Sequence, residues 1–150
     1  MVHRLNKGKG FERDVVKLLS KTTGKPWFRV PMSGGYSTST NTTDPRFKGD
    51  VYSDDPAFGF IVVECKNYAS LNIQELFNNK SKFYDWIIQT RKESLLNGAE
   101  LDWILFIKIT NVGIFCVVPN TEILHTLNLI PSDTLFTLIN LGNSFMVQIK

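Results

Sequence analysis

The apolar positions of this chain change their period several times, and each change marks an element. Phe11, Val15, Leu18 and Leu19 recur at 0, +4, +7 and +8, which predicts an amphipathic helix from about Gly8 to Leu19 or a little beyond. Thr22-Thr23-Gly24-Lys25-Pro26 ends it, and Trp27-Phe28-Arg29-Val30 reads as a short strand. Phe47–Tyr52 and Phe60–Val63 are two further strand-like runs, separated by the turn signal Ser53-Asp54-Asp55-Pro56-Ala57-Phe58-Gly59. From Asn72 to about Asn97, Leu76, Phe77, Phe83, Trp86, Ile87 and Thr90 fall on compatible faces of one long helix. Asn72 with Glu75 is its capping pair and Asn97-Gly98 its stop. Asp102–Ile109 is a buried strand, turned by Asn111-Val112-Gly113 into Ile114–Val118. A short helix near Thr121–Leu127 follows. The last segment, Leu135–Ile149 with a turn at Gly142-Asn143, is open between a hairpin and a helix plus strand. This order predicts an α/β fold, a mixed central β-sheet flanked by helices, in a single domain over residues 1–150.

The run Phe60-Ile61-Val62-Val63 ends in Glu64-Cys65-Lys66. Residues at i and i+2 of a strand share a face, so Glu64 and Lys66 project together while Ile61, Val63 and Cys65 fill the buried side. Ion pairing alone would explain one such triplet. The next acid upstream changes that. Asp50 and Glu64 lie symmetrically about Ala57, inside the turn, so an antiparallel hairpin sets them opposite each other, about 5 Å apart at Cβ. Facing carboxylates repel unless a cation lies between them, and all-oxygen ligands suit Mg²⁺. The bland alternative is a surface ion cluster worth a few tenths of a kcal/mol.

Composition narrows the setting. Hydrophobic content of 43% and charged content of 21% are ordinary for a globular chain. No apolar stretch reaches the roughly 18 residues of a membrane span, and Met1–Lys7 lacks the apolar centre of a signal peptide, so no membrane partner and a cytoplasmic setting are expected. Cys65 and Cys116 read as reduced core residues, His3 and His125 as structural or incidental, and Trp27, Trp86 and Trp103 as core. The net charge of +3 conceals an asymmetry: residues 1–50 carry ten Lys/Arg against four Asp/Glu, residues 51–150 seven against ten. A basic half around a carboxylate site suits a polyanion bridged by metal, though a solvated basic helix face has the same composition.

These residues resemble the PD-(D/E)XK nuclease superfamily, and within it the archaeal-type Holliday junction resolvases and their phage relatives. The resemblance rests on Lys7-Gly8-Lys9-Gly10-Phe11-Glu12-Arg13-Asp14, Pro31-Met32-Ser33-Gly34-Gly35, Gly49-Asp50-Val51 and Val63-Glu64-Cys65-Lys66, in that order over about residues 7–68. It implies a restriction-endonuclease-like core in which Asp50, Glu64 and the backbone carbonyl of Cys65 bind metal and Lys66 sits beside the attacking water. It further implies that Glu12 completes the site, directly or through a water, and that Ser33 serves in the loop. Gly49 departs from the proline usual before the first aspartate. Gln89 is a weaker carry-over from a helix in related phage and recombination nucleases.

The expected function is therefore Mg²⁺-dependent DNA hydrolysis, with Mn²⁺ able to substitute, by a resolvase serving recombination and repair. Its partners are branched or duplex DNA, and, since a four-way junction has two-fold symmetry, a second copy in a homodimer. A phage-encoded chain would act in the host cytoplasm. Lys66 either orients the water or stabilises developing charge. Lys7, Lys9, Arg13 and Lys48 would meet backbone phosphates, with Ser33 and Gly34 donating hydrogen bonds; each is equally readable as a solvated charge or a flexible link. The alternatives are a restriction-type or recombination nuclease of the same superfamily and a non-catalytic nucleic-acid-binding module.

Overall fold

In the computed structural model, residues 2–31, 47–96, 99–131 and 135–149 are described. The first helix, α1, runs Val2–Thr23, further toward the N-terminus than its apolar stripe marks. Phe11, Val15 and Leu19 are its buried stripe, and the extension beyond Gly8 carries no periodic apolar residue that could have announced it. Its end is tied by Thr23, whose hydroxyl donates to the Leu19 carbonyl at 2.6 Å and accepts from Trp27 Nε1 at 3.0 Å. Gly24, at φ 69°, sends its N–H to the Ser20 carbonyl, a left-handed cap that lets the chain reverse into β1 (Trp27–Arg29).

Strands β2 (Val51–Ser53) and β3 (Ile61–Tyr68) form the expected hairpin. Its connection is a 3-10 turn, Pro56–Phe58, capped by the Asp55 carboxylate, which accepts from the Ala57 N–H at 2.9 Å. Val51 pairs with Val63, and continuing that register sets Asp50 opposite Glu64. The chain then makes α2 (Ile73–Phe77), α3 (Lys82–Glu93), a two-residue pair β4 (Leu95–Leu96) and β5 (Ala99–Glu100), and β6 (Asp102–Ile109). β7 (Gly113–Val118), α4 (Glu122–Thr126), β8 (Leu138–Asn140) and β9 (Phe145–Ile149) complete it. Seven strands make one sheet in the order β1-β2-β3-β6-β7-β9-β8, antiparallel except where β3 lies parallel to β6. The fold is thus α/β with a mixed sheet flanked by helices, of the restriction-endonuclease-like class.

A parallel pair needs a crossover, and here α2 and α3 supply it and cover one face. Phe83, Trp86 and Ile87 of α3 pack there on Val62, Trp103, Leu105 and Ile107. On the other face, Phe11, Val15 and Leu19 meet Val63, Ile104 and Phe106, with Ile123, Leu124 and Leu127 of the α4 region alongside. Central β3 is therefore buried on both sides: Val62 and Glu64 are as enclosed as Ile61 and Val63. A single buried face, with Glu64 and Lys66 on an open one, underestimates how deeply the acid sits.

The long helix expected over Asn72–Asn97 is broken. Asn72 and Glu75 do form the capping box, but the helix stops at Asn78, whose backbone is extended and whose side chain accepts from the Lys80 N–H at 3.1 Å. This local side-chain bond competes with the helical ladder, and Ser81 restarts the chain as α3. The second helix ends at Glu93, four residues before Asn97. Leu95 pairs with Glu100 and Leu96 with Ala99, so residues expected at the end of the long helix are in a strand pair; Asn97-Gly98, the expected stop, lies outside the described residues. The tail resolves as a hairpin: Val147 and Met146 enter opposite cores, the alternation of a strand rather than a helix.

One glycine governs how β2 approaches β3. A Cβ on Gly49 would lie 2.3 Å from the Val63 carbonyl oxygen, which accepts the Asp50 N–H at 2.7 Å. No side chain fits there, which accounts for glycine in place of the usual proline. Gly49→Ala is expected to cost about 2–4 kcal/mol in urea unfolding, whereas Gly59→Ala, whose Cβ would meet nothing closer than 3.8 Å, should stay within about 1 kcal/mol.

Candidate active site

Asp50 stands just before β2, where the backbone pins it from two sides. Its carbonyl accepts from the Val30 N–H at 2.9 Å, and its N–H donates to Val63. Its carboxylate Oδ2 accepts from the Cys65 N–H at 2.8 Å, so the side chain is aimed at β3 by the strand that carries Glu64. Both acids are buried, Asp50 at 7% exposure and Glu64 at 4%, and their side chains hydrogen-bond to each other. Burial pushes the Glu64 carboxyl well up, and the neighbouring charges of Asp50 and Glu93 push it further. Burial also raises Asp50, against the opposing pull of the Cys65 N–H and the Glu64 hydrogen bond; Glu12 adds to the rise and Lys66 counters it. Both carboxyls are thus raised, Glu64 the more strongly of the two.

Lys66 lies on the same face as Glu64. Across the parallel ladder Glu64 pairs with Leu105 and Lys66 with Ile107, and both partners belong to the core under α3. Its ammonium is close enough to hold the Asp50 carboxyl down, as a cation beside a carboxylate does. The Cys65 thiol, raised by burial and by Asp50 and Glu64, is no nucleophile.

Glu12 projects from α1 into the margin of this cluster, 8% exposed. Its Oε2 accepts from Arg29 Nε at 2.8 Å, and its charge reaches Asp50. Lys9 and Arg13, four residues apart on α1, are exposed near it. Lys7 belongs to the same helix, and its side chain lies outside the described residues, as do Ser33 and Gly34. Lys48 does not lie free beside Asp50: its Nζ donates to the Leu95 carbonyl at 3.3 Å. It joins Gln89, Lys92 and Glu93 around an open cleft of about 540 Å³. Gln89 Nε2 donates to Glu93 at 3.3 Å, and Glu93 in turn acts on Glu64.

Two residues of this arrangement escaped the sequence reading. Glu93 hydrogen-bonds to Glu64, and its only signal was an acid one helical turn after Gln89. Arg29 holds Glu12 across 17 positions of sequence, and nothing in its own strand points to that.

Among the described residues no group of three or more His, Cys, Asp or Glu is placed to chelate a metal. The carboxylates of Asp50 and Glu64 are hard oxygen donors of the kind Mg²⁺ and Mn²⁺ take, and the Cys65 N–H already binds Asp50.

A family model described as "Phage putative PDDEXK endonuclease" matches residues 3–144, nearly the whole chain. No curated protein and no solved structure matches it. The match extends the likeness far beyond residues 7–68 and supports the superfamily, without showing any similarity to junction resolvases in particular. No helix among the described residues is long and apolar enough to cross a membrane.

The raised Glu64 carboxyl gives a pH signature in chelator. A carboxyl whose pKa is raised on folding stabilises the fold fully below its unfolded value, about 4.3 for Glu, and loses that stability as pH rises through the folded value. Glu64→Gln, which cannot ionise, should therefore unfold at a higher urea midpoint than the wild type in EDTA at pH 8, by on the order of 1 kcal/mol. The difference should shrink toward pH 4. A constant difference across that range would show that folding leaves the Glu64 pKa unchanged.

Proposed function

The chain belongs to the phage PD-(D/E)XK endonuclease family, and from that premise we propose that it is a Mg²⁺-dependent endonuclease hydrolysing DNA phosphodiester bonds. The observation that carries this reading is the buried, hydrogen-bonded Asp50–Glu64 pair with Lys66 on the same strand face. Asp50, Glu64 and the Cys65 carbonyl would hold Mg²⁺, or Mn²⁺ in its place, which supplies charge stabilisation at the phosphoryl oxygens and lowers the pKa of a water.

The chain's own residues do the rest. Asp50 is held ready by the Cys65 N–H, so ordering it costs nothing at the moment of binding. Because the Glu64 carboxyl is raised, a cation held there would bind more tightly as pH rises. Lys66 sets an ammonium beside the acids, where it orients the attacking water or meets the charge that develops on phosphorus. Arg29 fixes the Glu12 carboxylate at the margin. Lys7, Lys9, Arg13 and Lys48, with Ser33 and Gly34, would contact backbone phosphates and position the strand without reading its sequence.

For the preferred DNA form we infer the four-way junction, on the order and identity of the motifs in residues 7–68. A restriction-type or recombination nuclease would use the same acids on linear duplex. The test is a panel of junction, flap, linear duplex and single strand with Mg²⁺. Wild type should cut the junction fastest and stop in EDTA. Asp50→Asn and Lys66→Ala should each lose about 10²–10³-fold or more while retaining salt-sensitive DNA binding. Equal cleavage of junction and matched duplex would remove the junction preference and leave the nuclease. A wild type that binds DNA but cuts nothing would sink the enzyme reading in favour of a binding module.

A further inference from the structure

The sheet face that carries the acids also carries a group of aromatic rings that the cleavage chemistry does not use. Side chains alternate along β2, and Val51 enters the core under α1. Tyr52 therefore projects from the opposite face, which is the face of Glu64 and Lys66. Its cross-strand neighbour is Phe28 of the edge strand β1, with ring centroids 5.6 Å apart. Phe47 meets Tyr52 edge-on at 5.2 Å. α3 covers the centre of this face with Phe83, Trp86 and Ile87, but none of the three rings belongs to that core, and Phe28 is left 42% exposed.

We propose that Phe28 and Tyr52 form a stacking platform for a nucleobase, selecting DNA strands with an unpaired base within about two nucleotides of the scissile phosphate. The platform's place beside the cut rests on the nuclease reading above. A lone exposed phenylalanine is ordinary, and a cross-strand aromatic pair stabilises a sheet without any ligand. Three observations go further. The first is position. Tyr52 follows Asp50 by two residues, about 7 Å along the strand, so a strand whose phosphate lies at Asp50 brings a neighbouring base over the rings. The second is charge. Lys48 precedes Asp50 by two residues and lines the open cleft beside α3, and Lys66 shares the strand face of Glu64. Cations for the backbone thus adjoin rings for the bases, the pairing by which single strands are held. The third is the state of the rings. Phe28 and Tyr52 are tilted by 37° rather than stacked on each other, so the exposed surface of Phe28 is open to a third ring. A base inside a duplex must leave its stack to reach that surface, and this costs least where the base is already unpaired.

The test uses the full chain in EDTA, where binding is read without cleavage. Wild type should bind oligothymidylate at least about 5-fold more tightly than an abasic strand of the same length and charge at the same salt, since one base–aromatic stack contributes that much or more. Phe28→Ala and Phe28→Leu should each abolish the preference, and Phe28→Tyr should keep it. All three should retain the salt dependence of the wild type, because the phosphate contacts are untouched. Leucine preserves an apolar contact with Tyr52, so a purely structural role for Phe28 predicts that the leucine variant keeps the preference. Phe77→Ala, which removes an 86% exposed ring on α2, should keep it as well. The proposal is overturned by a wild type that binds both strands alike or neither. It is equally overturned if Phe28→Ala or Phe28→Leu retains the preference, or if Phe28→Tyr or Phe77→Ala loses it. Cleavage by wild type with Mg²⁺ is read separately. A protein that cuts DNA but binds both strands alike loses the platform and keeps the nuclease, and one that prefers the strand with bases yet cuts nothing does the reverse.

Discussion

Two carboxylates buried against each other are the constraint around which this protein is arranged. Asp50 and Glu64 are nearly inaccessible to water, and desolvation penalises a charge on either. The structure meets that penalty partly with the Cys65 N–H, which favours the ionised form of Asp50, and partly with Lys66. Burial raises the Glu64 carboxyl, and the charges of Asp50 and Glu93 raise it further. Such a site sits under electrostatic tension. That tension separates it from a surface ion cluster, in which solvent would screen the same charges to near irrelevance.

The fold can be understood as the means of keeping those acids in place. β3 reaches the centre of the sheet because its parallel neighbour β6 requires a crossover, and the crossover helices close the face that bears Glu64 and Lys66. α1 closes the other face and brings Glu12 to the margin, where Arg29 from the adjacent strand holds it. Gly49 permits the close backbone approach on which the aim of Asp50 depends. Each acid thus comes from a different element, and packing in both cores holds those elements together. A loss of packing far from the acids should be felt at them, because small displacements matter most where charges are buried.

Particular residues show what was readable before the structure. The symmetry of Asp50 and Glu64 about Ala57 predicts the hairpin register that Val51 and Val63 adopt, since turn position alone sets pairing in a short hairpin. Asn72 and Glu75 announced their capping box for a similarly local reason. The break at Asn78 was missed because the apolar pattern continues across it: Leu76 and Phe83 fit one helix as well as two. Leu95 and Leu96 continue the apolar pattern of the helix before them, and only their pairing with Glu100 and Ala99 shows a strand.

The chain by itself determined the central strands, the hairpin register, the facing acids and the lysine on their face, because all of these follow from spacing within a few tens of residues, whereas the β4–β5 pair and the β8–β9 hairpin did not. It also carries enough of the motif order for the family to be recognised over residues 3–144. Tertiary structure alone decided how deeply Glu64 is buried, that Glu93 and Arg29 join the acids, and that Phe77 is exposed while Phe83 is core. Burial and long-range pairing depend on which faces other elements cover. Periodicity shows that a residue has an apolar neighbour along its own element, and is blind to what comes to rest against it.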